Sequence, residues 1–257
     1  MKPSSALKPL AFAMAALLSV AAYAHNDGPP PPPSYTMDPN AGAAAVVIDV
    51  QNSHNNKVTN KAIKNTATVK DSVKGAEGNM GVNAAAGSGN QQDNAVAIAT
   101  ADETFVFGTA ASLTSATQTN SHNNDHNYGT QNNAKLESSG NGSSGNVGIN
   151  VAAGDFNQQK NNLAIAVSNG RIAGAGATAN QTSNNLSVIN EAGASYLSNV
   201  NTWGQSSHHN NTPVVNNATM DHSFNGMSGN GGANIAAGVG NQQSNSLSIA
   251  AGCKVCM

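Results

Sequence analysis

The sequence predicts an all-β chain of three repeated cross-β layers, β-solenoid-like and piled on one another, and three observations predict it. The first is an internal repeat, the feature that most constrains architecture. Residues 65–99, 132–166 and 216–250 align without a gap, and 17 of the 35 positions are identical in all three. The second is the period of the apolar positions. Met80, Val82, Ala84 and Ala86 alternate with small or polar residues, as do Val147, Ile149, Val151 and Ala153, and a spacing of two belongs to a strand. The third is composition: 39 Asn and 11 Gln among 257 residues, with 9% charged and 4% aromatic. So little bulky apolar surface does not offset an ordering cost of ~1–2 kcal/mol per residue in a lone chain. The free monomer is therefore expected to be largely disordered, and a net charge of −2 leaves self-association almost unopposed.

Along the chain, Lys2 and Lys8 precede an apolar run from Leu10 to Val20 and then Ala22-Tyr23-Ala24. That is the layout of a secretory signal peptide, residues 1–24, and the run falls well short of the ~20 residues of a membrane-spanning helix. Residues 25–45 read as a tail, with Pro29–Pro33 favouring an extended conformation. Residues 46–99 form repeat 1, with its core at 65–99. Residues 100–131 read as a first linker holding the start of repeat 2, and 132–166 as the repeat 2 core. Residues 167–215 read as a second linker holding the start of repeat 3, 216–250 as the repeat 3 core and 251–257 as a tail.

Connectors this long and unequal are expected to loop out as irregular linkers, which makes Thr178, Asn180 and Gln181 linker residues. A weaker echo, His54-Asn55-Asn56, His122-Asn123-Asn124 and His209-Asn210-Asn211, suggests that each true repeat starts near it. Within the blocks Gly75, Gly78, Gly87 and Asn90 punctuate the strands, as turns require. The Ala-rich stretch 82–87 is helix-compatible by propensity alone, but its shortness and flanking glycines favour a strand.

In a cross-β stack like residues lie above one another at ~4.8 Å. A carboxamide donates and accepts at once, so a column of them satisfies itself, whereas a column of like charges repels. The candidate ladder residues are Asn79, Asn83, Asn90, Gln91, Gln92 and Asn94 in the first block. Their counterparts are Asn146, Asn150, Asn157, Gln158, Gln159 and Asn161 in the second, then Asn230, Asn234, Asn241, Gln242, Gln243 and Asn245 in the third. The next position after the Gln pair is Asp93, Lys160 and Ser244, where no sign repeats. The candidate apolar core comprises Val82, Val96 and Ile98, then Ile149, Val151, Leu163 and Ile165, then Ile235, Leu247 and Ile249.

Several chemistries are disfavoured. Eleven Lys and Arg against 13 Asp and Glu offer no basic footprint for nucleic acid, and after the leader no run is apolar enough for a membrane anchor. No Ser/His/Asp set, carboxylate pair or dinucleotide fingerprint repeats, so the chain reads as a non-enzyme without cofactor or metal. The aligned histidines read as solvated turn residues rather than metal ligands. Cys253 and Cys256 form a lone CxxC, which cannot complete a four-ligand zinc site. A disulfide, or handling by a chaperone or thiol oxidoreductase during export, are the two readings it leaves.

The cores GVNAAAGSGNQQDN, GINVAAGDFNQQKN and GANIAAGVGNQQSN, joined by long unlike connectors and followed by the CxxC, resemble the Fap functional amyloids of bacterial biofilms over almost the whole chain. The resemblance implies a self-polymerising fibre subunit whose repeats fold over into Greek-key-like layers. It also implies periplasmic transit with a chaperone, export through an outer-membrane pore, and nucleation helped by a minor fibril subunit. The resulting extracellular fibre would support the biofilm matrix and adhesion. The long linkers make the chain most similar to the major fibril subunit of that family; a minor nucleating subunit and a secreted β-roll adhesin are the alternatives.

Overall fold

The computed structural model describes residues 42–101, 109–168, 172–191 and 213–252. The expected leader, most of the Pro-rich tail, His209 and both cysteines lie outside the described residues. Alternation of small or apolar residues with polar ones produces strands throughout. The first rung holds β1 (Gly42–His54), β2 (Lys57–Lys61), β3 (Lys64–Lys70), β4 (Glu77–Ala86) and β5 (Gln91–Ala101). The second holds β6 (Thr109–Ser121), β7 (Asn124–Tyr128), β8 (Gln131–Glu137), β9 (Ser144–Ala153) and β10 (Gln158–Ser168). The third holds β11 (Ile172–Asn184), β12 (Ser187–Glu191), β13 (Val215–Asp221), β14 (Ser228–Ala237) and β15 (Gln242–Ala251).

Each strand pairs only with its counterparts in the rungs above and below. The result is five parallel three-stranded sheets, β1-β6-β11, β2-β7-β12, β3-β8-β13, β4-β9-β14 and β5-β10-β15. Within a rung β5 lies between β1 on one face and β4 on the other, and β4 lies between β5 and β3. The chain thus folds over on itself in each layer before climbing to the next. Backbone hydrogen bonds run along the stack even at bends, as from Gly154 N to Ala86 O at 2.8 Å and Gly238 N to Ala153 O at 2.9 Å. Bends recur in columns: Asn55, His122 and Asn185 all adopt left-handed φ, at 56°, 54° and 53°.

The main apolar cluster fills the space between β3 and β4 and their counterparts: Ala67, Val69, Ala134, Leu136, Val147, Ile149, Val151 and Ala153, with Val82 and Ile235 packed against it. A second, alanine-only cluster of Ala99, Ala110 and Ala166 lets β5 and β1 approach closely. Two members of the apolar core expected from sequence need correction. Ile98 and Ile249 are 44% and 42% exposed, because they lie on outer rungs and near the limit of the covering strand, which starts at Glu77. Leu163, in the same column as Val96 and Leu247, is buried in the middle rung.

The connectors also depart from expectation. Most of residues 100–131 and the first part of 167–215 do not loop out: they form β6, β7, β11 and β12, full members of two sheets. A rung therefore begins near Gly42, Thr109 or Ile172, and the His-Asn-Asn echo is out of step. His54 pairs with Ser121, one residue before His122, and Ser121 pairs with Asn184 rather than with anything near His209. The offset between rungs two and three steps from 63 residues at β7 and β12 to 84 at β8 and β13. The third rung thus carries 21 additional residues between β12 and β13, while the link from β10 to β11 is four residues shorter than that from β5 to β6, and together these account for the unequal connectors.

Close approach of layers makes one glycine column indispensable. Gly154 has φ of 104°, and a Cβ on it would lie 2.2 Å from the carbonyl oxygen of Gly238. Gly142, with φ of 64°, has no atom within 4 Å of such a Cβ. Gly154→Ala is therefore expected to prevent ordered stacking of β9 on β14, seen as lost hydrogen-exchange protection. Gly142→Ala should lose about 1–2 kcal/mol, the left-handed penalty alone, with protection retained.

Candidate functional site, the carboxamide ladders

The parallel register places like carboxamides in columns, and their side chains bond in two directions. Along the stack, Asn150 Nδ2 donates to Asn83 Oδ1 at 2.9 Å and Asn234 Nδ2 to Asn150 Oδ1 at 2.9 Å. Gln158 donates to Gln91 at 2.9 Å and Gln242 to Gln158 at 2.7 Å. Asn161 donates to Asn94 at 2.8 Å and Asn245 to Asn161 at 2.9 Å. The Gln92, Gln159 and Gln243 column runs the other way: Gln92 Nε2 donates to Gln159 at 2.7 Å and Gln159 Nε2 to Gln243 at 2.8 Å.

An amide carries two N–H groups, and the second is used across the layer. Gln92, Gln159 and Gln243 donate to the carbonyl oxygens of Ala84, Val151 and Ile235 at 3.0, 3.0 and 3.1 Å, tying β5, β10 and β15 to the strands that cover them. Asn94, Asn161 and Asn245 reach Asn83, Asn150 and Asn234 of their own rung at 2.7, 2.9 and 2.9 Å. Asn157 and Asn241 close the turn column: each accepts or donates along the stack, and Asn157 also donates to Gly238 O at 3.0 Å. In the Asn79, Asn146 and Asn230 column, Asn230 donates to Asn146 at 2.7 Å, while exposed Asn79 lies in register without joining in.

Sequence reasoning missed three further columns. Gln51, Gln118 and Gln181 form a ladder, with Gln118 donating to Gln51 and Gln181 to Gln118, both at 2.8 Å. Each also donates across to a backbone carbonyl of the β5 sheet, at Gln92, Gln159 or Gln243. Gln181 is thus a stacking residue and not a linker residue. Asn60, Asn127 and Asn190 form a second column, and Asn65, Asn132 and Asn216 a third. The signal for the first was a glutamine ending each alternating stretch, visible only once the 63-residue offset is known. The Asn65 column stood at the head of the aligned blocks.

Charged residues are confined to places where the column changes identity. Lys160 is fully buried in the middle rung; its Nζ donates to Thr178 O at 3.1 Å and lies 3.9 Å from Asp93 Oδ2. Burial lowers its pKa to about 8, against the opposing pull of Asp93 and Asp49. Burial, then the nearby Asp49, raises Asp93, and Lys160 partly offsets this. Asp125 and Asp155 are two further buried charged residues of the middle rung. Asn127 donates to Asp125 Oδ2 and Asn60 to Asp155 Oδ2, both at 2.6 Å, while Asp125 Oδ1 has no hydrogen-bond partner. Burial, then the charge of Asp155, lifts Asp125 from 3.8 to about 6, with the Asn127 bond opposing. Among the described residues no three His, Cys, Asp or Glu side chains come together. The arrangement matches one layer to the next.

Two outcomes follow from this geometry. Gln159 is fully buried, and its truncation removes the acceptor of one Gln92 N–H and the side-chain donors to Gln243 Oε1 and the Val151 carbonyl. At roughly 1–3 kcal/mol for each buried group left unpaired, Gln159→Ala should markedly lower the denaturation midpoint of the assembled protein. Asn180→Ala, on the exposed face of β11, should stay within about 0.5 kcal/mol. The second concerns pH. Because the Asp125 carboxyl binds its proton more tightly in the folded stack than in the unfolded chain, its contribution is fullest below about pH 4. That stability is lost as pH rises to about 6 and is level above it. Asp125→Asn should flatten this part of the stability profile, measured by denaturation between those values.

Known proteins bear on this arrangement. The family model described as "Functional amyloid protein FapB/FapC family" matches residues 44–252. The "Functional amyloid subunit FapC" of Pseudomonas aeruginosa is 42% identical over an alignment of 331 residues, which covers 100% of this chain and 97% of that protein. No solved structure gives a match. A match over most of the chain, spanning all fifteen strands but the first two residues of β1, together with a full-length relative at this identity, shows that the chain belongs to the FapB/FapC family of functional amyloids.

Proposed function

We propose that this chain is the major structural subunit of an extracellular amyloid fibre, of FapC type, that grows by nucleated elongation and strengthens a bacterial biofilm matrix. One observation carries the reading. Both outer rungs end in open strand edges, β1 to β5 on one side and β11 to β15 on the other, with every carboxamide column unfinished at each end. Unpaired parallel edges of this length template another chain, and the asymmetric unit of three unlike rungs extends without closing.

The subunit is read as reaching the cell surface after cleavage at Ala24, periplasmic transit with a chaperone and passage through an outer-membrane pore. A related minor subunit would lower the barrier to the first stack. The non-enzymatic character of the family agrees with a site whose polar groups are consumed in holding layers together.

The test is seeded growth of the mature chain. Preformed fibres should abolish the lag of thioflavin fluorescence, and aligned fibres should diffract at about 4.7 Å along their axis. A chain that stays a cooperatively melting monomer at high concentration, indifferent to seeds, overturns the reading.

A further inference from the structure

The two ends of the three-rung stack differ in charge. Among the described residues the first rung carries Lys57, Lys61, Lys64, Lys70 and Lys74 beside Asp49, Asp71, Glu77 and Asp93, whereas the third rung carries Glu191 and Asp221 and neither Lys nor Arg. Register places these residues in shared columns. Lys61 lies below Tyr128, which lies below Glu191. Lys70 lies below Glu137, which lies below Asp221. Both acids of the third rung therefore stand in columns whose first-rung member is lysine.

Inside one molecule these opposite charges are two rungs apart, roughly 9.5 Å at the spacing of paired strands. Glu137 is already served by Lys70 at 3.1 Å and by Lys135 at 2.5 Å. Asp221, its neighbour in the column, has only His222 as an ion-pair partner among the described residues. If a second copy continues the parallel register, its first rung lies one step of ~4.8 Å beyond the third rung of the first. Glu191 then faces Lys61 and Asp221 faces Lys70. Docking of two third-rung ends would instead bring acids together with no lysine or arginine among the described residues to meet them.

Resting on the fibre reading above, we infer that Lys61 and Lys70 of one subunit form a charge-matched junction with Glu191 and Asp221 of the next copy, which selects head-to-tail addition. Exposed ion pairs contribute little to stability, on the order of 0–1 kcal/mol each. Their effect is on choice of partner and on capture rate, where complementary charge favours the correct encounter and like charge penalises the wrong one. The Lys61 column is the cleaner one to perturb, because its middle member, Tyr128, is neutral.

The experiment measures seeded elongation of Lys61→Glu, of Glu191→Lys, of their equimolar mixture and of the doubly substituted chain, at about 10 mM salt, where screening is weakest. Each single variant sets like charges across its own junction and should elongate about fivefold more slowly on its own seeds, the equivalent of ~1 kcal/mol. The mixture should recover, because each variant's altered end meets a charge-complementary end of the other, giving alternating copolymers. The double variant should recover too, and about 1 M salt should erase the differences.

Single variants that elongate at the wild-type rate, or a mixture no faster than its components, overturn the junction. A variant that merely misfolds is not rescued by mixing, so it falls under the second outcome. Wild-type seeding run alongside separates the two readings: its failure strikes the fibre itself, whereas normal wild-type seeding with indifferent variants strikes the junction alone.

Discussion

A primary carboxamide carries a donor and an acceptor on one planar group, and the rest of this structure depends on that. Parallel pairing puts residues of successive rungs directly above one another, so any side chain repeated at a position must tolerate a copy of itself at about 4.8 Å. Charges do not, and large apolar groups do so only where the layer has room. Asn and Gln do, because the second N–H remains free to bond sideways. In the Gln92, Gln159 and Gln243 column one N–H runs along the stack and the other reaches the carbonyls of Ala84, Val151 and Ile235. The same group thus fixes both the vertical register and the packing of strand on strand.

Positions that are not identical are complementary, and this makes the three rungs an ordered set rather than three copies. Phe156, buried and in left-handed φ, stands where the other rungs have Gly89 and Gly240; its ring occupies the place a Gly89 side chain would take. Phe224 does the same over Gly140. Asp93 lies under Lys160, and Lys70 under Glu137. In these columns a departure from the repeat is matched by an opposite departure one layer away. The middle rung is enclosed enough that burial lowers the pKa of Lys160 and raises that of Asp125.

Family membership and geometry meet in the same residues. The motifs that place the chain among the FapB/FapC functional amyloids are the stretches that form β4, β5 and the turn between them, with their counterparts above. In those stretches the turn glycine Gly87 and Asn90 recur as Gly154 and Asn157, then as Gly238 and Asn241, because the backbone of one layer passes within van der Waals distance of the next. A function that consists of stacking selects the residues that make stacking possible.

The sequence by itself determined the strand period, the three blocks and the columns of Asn83, Gln91, Gln92 and Asn94, since a buried ladder demands the same residue in every rung and identity is what alignment detects. The tertiary structure alone decided that the connectors supply β6, β7, β11 and β12, that Gln51, Gln118 and Gln181 form a ladder, and that Ile98 and Ile249 stand at the surface. The physical reason lies in what each face requires. Apart from the Gln51, Gln118 and Gln181 column, the sheet of β1 places small side chains inward, as at Ala43, Ala110 and Ala173, and accepts unlike residues outward, so its three strands share a shape with little shared sequence. Where packing asks for size and not identity, the repeat is written in space and only faintly in the order of residues.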